Sequence, residues 1–80
     1  MDMEQPTTNV KDLGLAAALV SSGHEVLNIY RDIGGPTYFV FTQSNQLEVN
    51  TGAYWADTLR VNARRYFDNI KMLKSRIYSE

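Results

Sequence analysis

Eighty residues with a formal net charge of −1 and no cysteine make one small domain, one that buries only about 60–65% of its unfolded surface. The missing cysteines exclude a disulfide framework and every thiolate metal site. No run approaches the ~18 apolar residues of a membrane span, and the acidic, polar start MDMEQPTT lacks the basic and apolar regions of a secretory signal, so the expectation is a cytoplasmic protein with no membrane segment.

With 44% hydrophobic and 21% charged residues the composition is that of a globular domain, not a disordered chain. The charges are unevenly placed. Residues 1–59 carry Lys11 and Arg31 against seven carboxylates, a net −5, and residues 60–80 carry six basic residues against Asp68 and Glu80, a net +4. Such a two-signed surface suits a protein–protein or self-complementary interface as readily as a polyanion site.

Residues 1–8 read as a flexible arm and 9–80 as the globular unit. Asn9 and Asp12 have the spacing of a capping box, with Asp in place of Glu, and predict a first helix over about 10–22. Its apolar residues cover nearly the whole circumference, Ala16, Ala17 and Ala18 permit close packing, and Gly23 supplies a left-handed end. EVLNIYRD alternates like a strand, with Leu27, Ile29 and Arg31 on one face and Val26, Asn28 and Tyr30 on the other. After Asp32-Ile33-Gly34-Gly35-Pro36 comes TYFVFT, the second arm of an antiparallel hairpin. Asn45 and Glu48 repeat the capping spacing ahead of a weaker helix over about 46–56, which directs Leu47, Thr51, Tyr54 and Trp55 inward. TLRV, residues 58–61, reads as a short third strand, and Asn62 caps a final helix over about 63–78. The predicted class is α+β: helix, hairpin, helix, short strand, helix, with the helices on one face of a two- or three-stranded antiparallel sheet.

The last helix sets the main question. At 100° per residue, Tyr66, Phe67, Ile70, Leu73 and Ile77 form one apolar stripe roughly 120° wide, extended to Tyr78, and that stripe is expected to be core. Arg64 and Lys71 lie on one flank of it and Arg65 and Arg76 on the other, with Met72 and Asp68 between them. Lys74 falls inside the stripe, either snorkelling to water or pairing with Asp57 or Glu48.

Nothing in the chain has the pattern of a catalytic or metal site. His24 is the only histidine, so there is no visible metal-ligand set. It reads as a cap or polar filler. The Asp32 turn lacks the lysine and hydroxyl of a phosphate loop, and Ser21 and Ser22 have no base in a recognisable pattern. No enzyme activity and no cofactor is expected.

Taken in order, KDLGLAAALVSSGHEVLNI, TYFVFTQS, AYW and RVNARRYFDNIKMLKSRIY resemble a family of small uncharacterised proteins of bacteria and their phages. The matching positions are Lys11-Asp12-Leu13, Gly23-His24, Phe39 and Phe41, Tyr54-Trp55, Tyr66-Phe67 and Leu73-Lys74, within about residues 8–79. The resemblance implies an accessory protein of a mobile element and brings no activity with it. The expectation is a non-catalytic module that binds a host or phage protein, in one form a homodimer, with Tyr38, Val40, Tyr54 and Trp55 as candidate interface. The alternative is nucleic-acid binding through Arg60, Arg64, Arg65, Lys71 and Arg76.

Overall fold

The computed structural model describes residues 5–78. The elements are β1 (Thr7–Val10), α1 (Leu13–Ser21), β2 (Val26–Arg31), β3 (Thr37–Thr42), α2 (Asn45–Trp55) and α3 (Ala63–Tyr78). The strands form one antiparallel sheet in the order β1-β3-β2. The predicted α+β class therefore holds, with three helices and three strands among the described residues.

β1 corrects the expected arm at its inner end. Thr7 and Thr8 belong to a strand, with Thr8 opposite Phe41 and Val10 opposite Phe39. Val10 is buried, so the strand is held by apolar packing as well as by its ladder. Residues 1–4 of the expected arm lie outside the described residues. Because β1 takes Val10, the first helix starts at Leu13, and Asp12 itself is the cap, accepting from the Leu15 N–H at 2.8 Å.

TLRV is not a strand, and the third strand of the sheet is β1. β3 has β1 on one edge and β2 on the other. Residues 58–61 instead follow the end of α2, where the Thr58 and Leu59 N–H groups both donate to the Ala53 carbonyl. α2 is capped by Ser44 rather than Asn45, through a 3.0 Å bond from the Leu47 N–H. The predicted cap of α3 is present: Asn62 Oδ1 accepts from the Arg65 N–H at 2.9 Å.

The hairpin pairs as read from the sequence, but its alternation does not hold throughout. A β-bulge lies between Val26 and Asn28. It places Val26 opposite Phe41 and Ile29 opposite Phe39, so both pack on the core, while Leu27 is left exposed. The turn needs glycine at one position, Gly34, with φ 71°, before the Gly35 N–H returns to the Asp32 carbonyl.

Phe39, Phe41, Leu19, Leu47 and Leu73 are the largest fully buried side chains. α1 contributes five consecutive buried residues, Leu15 to Leu19. It packs against α3, α2 and β1, and its three alanines allow that close approach on several sides.

Candidate functional site

The four candidate interface residues separate into two places. Tyr38 and Val40 share the sheet face opposite Phe39 and Phe41, as strand alternation requires. There Tyr38 stacks on Tyr30 across the β2–β3 pair, with ring centroids 5.1 Å apart and planes at 28°. Asn9 Nδ2 donates to the Tyr30 hydroxyl at 3.0 Å, which ties all three strands together on that face.

Tyr54 and Trp55 sit at the end of α2 with rings edge to face, 5.0 Å apart. Tyr54 is half-buried and packs on the core, while Trp55 points outward and is 61% exposed, contrary to the inward placement expected. The Tyr54 hydroxyl lies over Gly14, in the space a Cβ would take, and the Tyr66 hydroxyl donates to the Gly14 carbonyl across 3.4 Å. Burial raises the Tyr54 pKa above its usual value, and the neighbouring Tyr66, Asp12 and Asp57 raise it further. An open cleft of about 280 Å³ lies here, lined by Ala18, Tyr54, Asp57, Leu59, Val61 and Tyr66.

The basic residues Arg60, Arg64, Arg65, Lys71 and Arg76 are all exposed, and they do not form one patch. Arg60 is in the segment before α3. Arg64 and Lys71 share a flank of α3, and Arg65 and Arg76 lie on another.

The apolar stripe of α3 is rotated from the expected position. Leu73 is fully buried in the core, and Tyr66, Ile70, Met72 and Ile77 pack against that core. Phe67 and Tyr78, both expected in the core, are 60% and 78% exposed. Lys74 is exposed beside them and pairs with neither Asp57 nor Glu48. The physical reason is that α1 meets α3 on the Met72 side, where Asn69 Nδ2 donates to Ser21 Oγ at 2.9 Å.

The outcome is a surface ridge. Arg64, Phe67, Lys71, Lys74 and Tyr78 follow one another at spacings of three or four residues. The Lys71 ammonium stands 5.0 Å from the centre of the Phe67 ring. Sequence reading missed Phe67 and Tyr78 as surface residues, although their place at the edge of the stripe, beside a lysine, was the available signal.

His24 Nε2 and Asn50 Nδ2 are 2.9 Å apart, which joins the α1–β2 turn to α2. Burial lowers the His24 pKa. Ser21 and Ser22 spend their hydroxyls on the Ala17 and Ala18 carbonyls. Among the described residues, no group of three or more His, Asp or Glu could hold a metal ion, and no helix is long and apolar enough to cross a membrane.

The fold and these surfaces define a small two-layer α+β domain with one open sheet face and an exposed aromatic and basic helix ridge. The chain belongs to the family described as Domain of unknown function (DUF5659), whose model matches residues 6–79. No curated protein and no solved structure matches it.

Proposed function

We propose that the chain is a non-catalytic protein-binding module, an accessory protein of a bacterium or phage, and that its ridge on α3 receives an acidic amphipathic helix of another protein. The observation that carries this reading is the exposure of Phe67 and Tyr78 in line with Arg64, Lys71 and Lys74. Two large aromatics left in water on a domain this small are apolar area that a partner would cover. The cations beside them favour a partner that brings carboxylates. The serine hydroxyls and His24 are engaged in structural bonds, which supports a role without catalysis.

Affinity capture with wild type and with a Phe67→Ala/Tyr78→Ala double variant tests the reading. Both side chains are exposed, so the variant should fold. A partner captured by wild type, and lost with the double variant but kept with Tyr38→Ser, supports the ridge. A partner retained by the double variant overturns it. Sedimentation equilibrium from about 1 to 100 μM separates out self-association: a growing mass above 9.1 kDa would make a second copy the occupant.

Nucleic-acid binding is the second reading, and the cation over the Phe67 ring favours it, since aromatics interleaved with basic residues suit stacked bases and phosphates. Contacts from Arg64, Lys71 and Lys74 would give a log–log salt slope of about −2 to −3. Fluorescence anisotropy with single-stranded and duplex oligonucleotides measures it. The −5 of residues 1–59 opposes approach to a polyanion, so weak binding is expected, no tighter than about 10 μM near physiological salt.

A further inference from the structure

α1 and α2 end in the same hydrogen-bonded motif. In α1 the Gly23 N–H donates to the Val20 carbonyl and the His24 N–H to Leu19. In α2 the Asp57 N–H donates to Tyr54 and the Thr58 N–H to Ala53. The motif needs a left-handed residue, and α1 uses the one that adopts it freely, Gly23 at φ 105°. α2 uses Asp57 at φ 63°, the one non-glycine residue of positive φ among the described residues. A carboxylate thus stands where the backbone alone would favour glycine. It borders the cleft between the α2 end and α3.

The rest of that cleft is apolar or aromatic. Ala18, Leu59 and Val61 supply aliphatic wall, and Tyr54 and Tyr66 supply ring surface. Among the described residues, Asp57 is the only charged residue of the lining. The C-terminal end of α2 adds the negative end of its dipole beside the carboxylate. The first turns of α1 and α3 have the opposite sign, but Asp12 and Asn62 already accept from their leading N–H groups. Arg60 lies between Leu59 and Val61 in sequence and is not part of the lining.

We propose that this cleft binds an organic cation on an aliphatic stem, an alkylammonium or alkylguanidinium group. The cation would meet the Asp57 carboxylate, the stem would lie along Leu59 and Val61, and the tyrosine rings would add attraction to the charge. The site uses no residue of the α3 ridge, so it stands or falls separately from the reading above.

The test uses the full chain labelled with nitrogen-15 and three probes: propylguanidinium, an acetyl-Gly-Arg-Gly-amide peptide, and the same peptide with norleucine in place of arginine. Both cationic probes should give saturable shifts at the amides of Tyr54, Leu59, Val61 and Tyr66, with a dissociation constant of order 1 mM. Asp57→Asn should weaken them about tenfold or more. Asparagine tolerates the left-handed region, so the variant should keep its fold and the rest of its spectrum. A peptide that binds more tightly than propylguanidinium points to a side chain of another protein as the natural ligand. Equal binding points to a free small cation. The proposal is overturned by no saturable shift, by equal shifts with the norleucine peptide, or by an Asp57→Asn variant that binds like wild type.

Discussion

The Tyr54 hydroxyl occupies the space that a side chain at Gly14 would need: a Cβ there would lie 2.6 Å from that oxygen. It would also lie 3.2 Å from the Tyr66 hydroxyl and 3.2 Å from the Asp12 carboxylate. A glycine in the first turn of α1 is thus explained by tertiary contact and not by helix preference, which would choose alanine by about 1 kcal/mol.

Gly14→Ala should therefore lose stability despite that preference. Overpacking costs about 1–3 kcal/mol, so the net loss should be up to about 2 kcal/mol against the helix gain. Tyr54→Phe removes the obstructing oxygen. In a double-mutant cycle by urea denaturation, Gly14→Ala should cost less in the Tyr54→Phe background than in wild type. Additive effects would mean that the two positions are not in conflict.

Leu73→Ala should cost about 2–4 kcal/mol, the loss usual for a leucine in a packed core, because Leu73 is fully buried. Arg65→Ala should change stability by less than about 0.5 kcal/mol, since Arg65 is exposed. Phe67→Ala belongs with the second group despite its size. Equal losses for Leu73→Ala and Phe67→Ala would restore the stripe that was read from periodicity alone.

Asp57→Gly should raise stability by about 0.5–1 kcal/mol, because glycine adopts the left-handed region without the cost of a Cβ. The same substitution should abolish cation binding at the cleft. Thermal and chemical denaturation beside the peptide titration would read both effects. A loss of stability would show that the Asp57 carboxylate holds the α2–α3 junction itself.

His24 gives a pH dependence of defined sign. Burial lowers its folded-state pKa below the ordinary 6.5, so the unfolded chain takes up the proton first. The His24 contribution is complete above pH 6.5 and is lost as pH falls through the lower folded-state value. His24→Gln should flatten the stability profile on the acid side of pH 6.5. An unchanged slope in that variant would assign the acid loss to carboxylates instead.

Much of the fold was legible in the sequence. The hairpin, α2 and α3 lie within a residue or two of their predicted spans because alternation, turn glycines and caps are local signals. Gly23 and Asn62 perform the terminal roles that their residue types suggest. β1 was missed because four residues carry too little periodicity, and only β3 gives them a partner. The Leu27 bulge was missed for the same reason, since it exists only relative to the Phe39 and Phe41 register. The surface roles depended on the third dimension most. An apolar stripe wider than the area its neighbours can cover leaves one margin in water, and the sequence names the stripe without naming the margin. The seat of α1 on the Met72 side of α3 decided that Phe67 and Tyr78 would be surface. The meeting of α1, α2 and α3 likewise placed Asp57, Tyr54 and Tyr66 around one cleft, from residues that are not adjacent along the chain.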